Sequence, residues 1–182
     1  MPEKYTKVAI ALHWIIGLAI ILMLAMGLML DSLPDDYKFQ AYQLHKSLGL
    51  TILVLSFVRL FWRLTHRSPA LPAGMKPWEI WAAKLTHYAF YIVMIGIPLT
   101  GWALVSASPM QFPIMWFGIF EWPHLPFTPD KDISHNFGEM HEVLAYLTII
   151  LLGMHIGAAL KHHFVNKDTV LTRMLPFLKP LK

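Results

Sequence analysis

The segment that decides the fold reads HEVLAYLTIILLGMHIGAALKHH, from His141 to His163. It is apolar over most of its length, and histidines stand at both ends. An α-helix turns by about 100° and rises about 1.5 Å per residue, so His155 returns to the face of His141 about 21 Å further along. His162 continues the same stripe roughly 10 Å beyond His155. Ionisable side chains inside a membrane span are costly and usually functional, so we expect the imidazole rings of this stripe to have binding partners.

Composition places the chain among membrane proteins. Of its 182 residues, 56% are hydrophobic, far more than in an ordinary soluble domain. Four apolar runs each approach or exceed the ~20 residues that cross a bilayer as a helix. We therefore predict an all-α membrane protein, a four-transmembrane-helix bundle that forms one domain over 1–182. The predicted spans are about 8–30, 44–64, 80–105 and 141–163.

Charged residues predict the orientation of the bundle. Of the 15 lysines and arginines, twelve flank the termini and the loop between the second and third spans, whereas only Lys38, Lys46 and Lys131 lie on the other side. The positive-inside rule therefore places both termini in the cytoplasm. The basic character thus indicates topology and a surface for membrane lipid. No nucleic-acid partner is expected, because basic and aromatic residues do not alternate outside the membrane ends.

Two histidines near the ends of predicted spans share a spacing. His13 is followed four residues later by Gly17, and His45 is followed four residues later by Gly49. Positions i and i+4 share a helix face, and a glycine there lets a flat macrocycle lie close to the backbone. Ordinary small-residue helix packing is the alternative, but the repetition at each membrane edge favours a macrocycle.

Depth in the membrane sorts the histidines into two sets. His45 and His141 lie at the outer edge, while His13, His87 and His155 lie at the inner side. Low-spin haem b takes two axial ligands, and facing helices of a bundle can supply two imidazoles. The outer pair is then His45 with His141. Spacing alone allows His13 or His87 to face His155, and the glycine that follows His13 favours the former. The absence of cysteine excludes thiolate-held clusters and covalently attached haem.

Other polar residues near the inner side have two interpretations each. Arg59 and Arg63 share a face and either reach lipid phosphates or pair with a haem propionate. His87 is a candidate for a propionate or quinone contact, or else a satisfied core histidine. His162 can hydrogen-bond a quinone carbonyl and move its proton, or it is an interfacial histidine beside Lys161.

Several motifs carry a resemblance. They are Ala-Leu-His13-Trp, Leu-His45-Lys-Ser-Leu-Gly, Val-Arg59-Leu-Phe-Trp-Arg63, His87 with Tyr91, Pro98 and Gly101, the fourteen-residue spacing of His141 and His155, and Lys161-His162-His163-Phe followed by Lys-Asp. With them the chain resembles the bacterial cytochrome b561 family over essentially its whole length. The resemblance implies a multi-pass, di-haem b protein of the bacterial inner membrane that exchanges electrons with ubiquinone near the cytoplasmic haem. It implies His13 and His155 on the inner haem and His45 and His141 on the outer one.

The electron donor divides the functional hypotheses. One branch of the family resembles a superoxide oxidase, which implies a superoxide:ubiquinone oxidoreductase. The predicted outer segments, however, hold eight acidic residues against three lysines, a charge that disfavours an anionic substrate. The alternative is a haem-bearing membrane anchor or electron-transfer subunit for a separate dehydrogenase. A basic periplasmic redox protein would then be the electron donor and would bind the acidic face. A transition-metal carrier is a third class, and the oligomeric state is left open, a homodimer included.

Overall fold

The computed structural model describes residues 4–72, 74–179 and 181. Four helices account for most of them: α1 (Lys7–Met29), α2 (Asp35–Thr65), α3 (Pro77–Ala107) and α4 (Lys131–Phe164). Strands β1 (Ile114–Trp116) and β2 (Phe120–Trp122) form a short hairpin between α3 and α4. Each helix is long and apolar enough to cross a membrane. The predicted fold class, an all-α bundle of four spanning helices, is therefore confirmed.

Polar residues set where the helices begin. The Thr6 side chain accepts a hydrogen bond from the backbone N–H of Ala9 at 3.2 Å and caps α1. Asp130 caps α4 by accepting from two backbone N–H groups. Helices α2 and α4 start well before the apolar runs predicted from residues 44 and 141, because acidic residues near a helix N-terminus stabilise polar first turns.

The bundle has two chemically different ends. At the basic end, α1 and α3 begin while α2 and α4 finish. There Trp62 Nε1 donates to Thr6 Oγ1 at 2.9 Å, and Lys161 pairs with Glu79 at 2.7 Å. At the hairpin end, the β1–β2 hairpin follows α3 and leads to α4. Helices adjacent in sequence pack side by side, and α4 packs along α3.

The interior of the bundle is small. Leu12, Ile16, Ile52 and Met94 form a buried cluster between the first three helices, and many large apolar side chains are exposed on the outside. Such a surface suits a hydrocarbon solvent, in which the backbone must be satisfied within each helix. The core therefore fixes the helices, while the outer surface is available to lipid.

The segment after α4 folds back over the basic end. Trp14 Nε1 on α1 donates to the backbone carbonyl of Met174 at 2.7 Å. Arg173 donates to the carbonyl of Ala70 in the loop between α2 and α3. This segment therefore covers the bundle beside the inner histidines.

The hairpin is tied to α2 beside His45. Ser47 Oγ donates to the carbonyl of Met115 at 2.9 Å, and the Lys46 ammonium donates to the carbonyl of Pro113 at 2.8 Å. The hairpin turns through Phe117 and Gly118, whose φ angles of 48° and 71° are left-handed. The polar contacts fix the hairpin over this end of the bundle.

Candidate functional site

Two imidazole rings face each other at the hairpin end. The ring centroids of His45 on α2 and His141 on α4 are 6.1 Å apart. Metal–imidazole bonds of about 2 Å, the length seen in zinc sites, place two ring centroids on opposite sides of one metal about 6 Å apart. The pair predicted from the sequence is therefore brought together at a spacing that fits one haem iron.

A carbonyl of α3 fixes the tautomer of His141. Its Nδ1 lies 2.9 Å from the backbone oxygen of Ile97. A carbonyl can only accept, so Nδ1 must carry the proton, which leaves the Nε2 lone pair for a metal. The Thr100 hydroxyl lies 3.2 Å from the same nitrogen. The histidine therefore has the outer partners that a ligating imidazole requires.

A glycine makes room for one ring of this pair, and another lies against the second ring. A Cβ on Gly101 would lie 3.1 Å from Cε1 of His141, closer than ordinary contact, whereas a Cβ on Gly27 would meet Cε1 of His45 at an ordinary 3.7 Å. The sequence did not reveal these roles, because they depend on which helix faces meet. A Cβ on Gly49, one turn after His45, would meet Met23 at an ordinary 3.7 Å.

Three imidazoles meet at the basic end. The His155 centroid lies 6.0 Å from that of His13 and 6.2 Å from that of His87. The distances between ring centroids therefore do not distinguish His13 from His87, just as spacing in the sequence did not. His87 Nδ1 donates to the carbonyl of Ala83 in its own helix at 2.6 Å, so its Nε2 is unprotonated in the neutral ring.

The space beside the two candidate partners differs. A Cβ on Gly17, one turn after His13, would have no heavy atom within 4 Å. Tyr91, one turn after His87, instead packs against the buried core cluster. A flat group therefore has open space beside His13, and a bulky side chain stands beside His87.

Of the two predicted arginines, Arg59 reaches the histidines. Its guanidinium donates to the carbonyl of Ala9 at 3.3 Å and lies 3.3 Å from Nδ1 of His13. Arg63, one turn further along α2, is exposed at the basic end. The structure thus places Arg59 against His13, and the exposed Arg63 close enough to His87 to interact with it electrostatically.

His162 is buried and paired with an acid. It is 8% exposed, and its Nδ1 lies 2.5 Å from Oδ2 of Asp168. Lys161 turns away to Glu79, so the two neighbours on α4 have separate partners. Sequence reasoning proposed His162 but missed Asp168. The sequence feature that could have indicated this pair is an aspartate six residues after a histidine at the end of a helix.

Similarity to known proteins extends over nearly the whole chain and includes every residue of the candidate site. A family model described as prokaryotic cytochrome b561 matches residues 4–177. Cytochrome b561 homolog 2 of Escherichia coli (strain K12) is 33% identical over 177 residues, covering 96% of this chain and 92% of that protein. Cytochrome b561 homolog 1 of the same organism is 30% identical, with 96% and 98% covered. The probable superoxide oxidase CybB of Yersinia pestis is 28% identical, with 97% and 98% covered.

Proposed function

Since this chain belongs to the prokaryotic cytochrome b561 family, we propose that it holds one haem b at each end of its bundle and passes electrons between them. The family makes it a multi-pass bacterial membrane protein, a b-type cytochrome that takes part in electron transfer. One observation carries the finer proposal. Facing imidazoles stand 6.1 Å apart at the hairpin end and 6.0 Å apart at the basic end.

The residues that we propose would hold the two haem irons are His45 with His141, and His13 with His155. Open space beside Gly17 supports His13 over His87. A neutral imidazole that ligates through Nε2 carries its proton on Nδ1. Haem binding at His13 would therefore replace the 3.3 Å contact from Arg59 to that nitrogen. The guanidinium then becomes available to a propionate, whose carboxylate its fork matches.

Bound haem b supplies one-electron chemistry, and the protein supplies position and charge. His141 and His155 stand fourteen residues apart on α4, about 21 Å along the helix. The Ile97 carbonyl and Thr100 hydroxyl orient His141. At the other end, the edge of Phe90 packs on His155, with centroids 5.2 Å apart. One helix thus holds a ligand for each haem, and this fixes their separation.

We place the basic end in the cytoplasm and the bundle in the inner membrane. The positive-inside rule supports this orientation, because the basic end carries most lysines and arginines. A reporter fused after residue 182 measures it directly. Alkaline phosphatase, which is active only outside the cytoplasm, should be inactive there, and green fluorescent protein should fluoresce. An active phosphatase fusion would reverse the assignment.

Ubiquinone is the electron acceptor we propose at the basic end, with His162 as its contact. The imidazole is held through Nδ1 by Asp168, which leaves Nε2 for a quinone oxygen. In stopped-flow mixing with a short-tailed ubiquinone, His162→Ala should slow haem reoxidation by at least about tenfold and leave the haem spectrum unchanged. Unchanged kinetics in the variant would remove His162 from the site.

Superoxide is one candidate donor at the hairpin end, since one relative is named a probable superoxide oxidase. The Lys46 ammonium adjoins His45 in sequence, yet it is engaged with the Pro113 carbonyl. The acidic residues of this end oppose the approach of an anion. Generating superoxide enzymatically beside the purified protein tests the donor: stoichiometric haem reduction that superoxide dismutase abolishes supports it, and inert haem contradicts it.

The second candidate is a haem-bearing subunit that receives electrons from a separate dehydrogenase. The observation that favours it is the acidic hairpin end, where Asp35 is exposed and pairs with Lys38 at 2.9 Å. A basic donor protein would dock there with a strongly salt-dependent rate. A transition-metal carrier has less support, because in 4–72, 74–179 and 181 no three or more His, Cys, Asp or Glu side chains are placed so that they could hold one metal ion together.

A further inference from the structure

A polar cleft of about 480 Å³ opens at the basic end beside His162. The loop before α3, the first turn of α3 and the end of α4 form its walls. Its lining includes Pro72, Lys76, Glu79, Lys161, Asn166 and Asp168. A polar space of this size holds several water molecules. Protons from the aqueous phase can therefore reach the carboxylate of Asp168.

Asp168 belongs both to this cleft and to the buried ring. Its Oδ2 lies 2.5 Å from Nδ1 of His162, and its Oδ1 accepts from the backbone N–H of Val170 at 2.9 Å. Its own backbone N–H donates to the carbonyl of His162 at 3.1 Å. Three contacts thus hold the carboxylate between water and an imidazole that is 8% exposed.

The other polar groups around the cleft offer the ring no second acid. Glu79 accepts from the Lys161 ammonium at 2.7 Å and from the backbone N–H of Lys76 at 3.0 Å. The amide nitrogen of Asn166 lies 3.2 Å from Nδ1 of His162, but an amide does not titrate as a carboxyl does. Asp168 is therefore the acid in the cleft that can exchange a proton with the ring.

We propose that Asp168 passes protons from this cleft to His162, which passes them to the quinone; the inference rests on the quinone contact proposed above. In each transfer, protonated Asp168 gives its proton to Nδ1 while the Nε2 proton moves to a quinone oxygen. The Asp168 O–H bond breaks as the Nδ1–H bond forms, and the Nε2–H bond breaks as the quinone O–H bond forms. Asp168 then takes a new proton from the water of the cleft, and the ring returns to the tautomer with its proton on Nε2 before the next transfer. Two transfers, with two electrons arriving singly through the bundle, convert quinone to quinol.

The central test is Asp168→Asn in the haem-loaded protein. Turnover with a short-tailed ubiquinone should fall at least about tenfold, with unchanged haem content and spectrum. Asp168→Glu should recover most of the rate. Sodium formate, a small weak acid that can enter the cleft, should partly restore Asp168→Asn, which it could not do for a merely structural residue. Glu79→Gln, a second carboxylate of the same cleft, is the matched control and should change the rate by less than about twofold.

A second readout needs no quinone and no turnover. In protein labelled with ¹⁵N in its histidine rings, the His162 resonances are identified by their loss in His162→Gln. Wild type should show an Nδ1 resonance displaced by a strong hydrogen bond with Asp168. Asp168→Asn should shift that resonance, and Glu79→Gln should leave it in place. An unshifted resonance in Asp168→Asn would contradict the contact on which the relay depends.

The variants also separate the two proposals. If His162→Ala slows quinone reduction while Asp168→Asn is as fast as wild type, the relay is wrong and the quinone site stands. A slow Asp168→Asn that formate fails to restore also overturns the relay. If His162→Ala itself has the wild-type rate, the quinone contact is wrong. In wild-type vesicles, a pH indicator on the side of the basic end should report proton uptake during quinone reduction, and uptake from the opposite side would contradict the relay.

Discussion

Replacing Gly101 with alanine should remove the haem at the hairpin end and leave the other in place. A Cβ at this position would lie 3.1 Å from Cε1 and 3.2 Å from Nδ1 of His141. Carbon atoms in favourable contact are about 3.5–4.0 Å apart, so the ring must retreat by roughly half an ångström. The hydrogen bond from Nδ1 to the Ile97 carbonyl, at 2.9 Å, would then stretch to about 3.4 Å, beyond good geometry.

Such overpacking costs about 1–3 kcal/mol. If that cost falls on the haem-bound state, it weakens haem binding about 5- to 150-fold. The assay is the pyridine haemochrome ratio of haem to protein after gel filtration. Gly96→Ala is the matched control on the same helix, because its Cβ would meet Leu144 at an ordinary 3.6 Å. We expect two haems in wild type and Gly96→Ala, and about one in Gly101→Ala. Two haems with an unchanged spectrum in Gly101→Ala would refute the reasoning.

Three further changes have defined outcomes. His87→Ala should retain both haems, because this residue is not a ligand in our assignment. Loss of the basic-end haem would show that His87, and not His13, is the ligand opposite His155. Arg59→Ala should lower the midpoint potential of the basic-end haem by up to about 100 mV, since a lost positive charge about 7 Å away destabilises the reduced state. Arg59→Lys is the control in potentiometric titration, and an unchanged potential in Arg59→Ala would contradict the placement. Trp14→Phe removes the 2.7 Å bond to the Met174 carbonyl and should weaken docking of the C-terminal segment by about 1 kcal/mol. Trypsin should then cleave after Arg173 several-fold faster, and equal cleavage rates would exclude this role.

The fold class could be predicted because membrane solvation leaves few alternatives. Four apolar runs must form helices, since hydrocarbon cannot satisfy an open backbone. The pairing of His45 with His141 was also accessible, because helical periodicity places His141 and His155 on one face and depth selects the partner. Depth did not separate His13 from His87. The glycine that follows His13 favoured this residue in the sequence, and the folded bundle adds the open space beside Gly17 and the packed side chain of Tyr91.

The partners of the histidines could not be read from the sequence. The role of Gly101 depends on the rotation of α3 against α4, which no single helical pattern encodes. Asp168 reaches His162 only because the chain reverses after α4 through Lys167, whose φ of 53° is left-handed. Glycine is the residue that usually marks a left-handed turn in a sequence, and a lysine at this position does not predict one. The sequence therefore indicated the rings, and tertiary contacts determined what holds them.

Haem quantification in four single histidine-to-alanine variants tests the central claim most directly. The variants replace His13, His45, His141 and His155, and optical redox spectra of each identify which haem remains. We predict two b-type haems in wild type and one in every variant. His45→Ala and His141→Ala should lose the same haem, and His13→Ala and His155→Ala should lose the other. A single haem in wild type, or full retention of both haems in any of the four variants, would contradict the assignment.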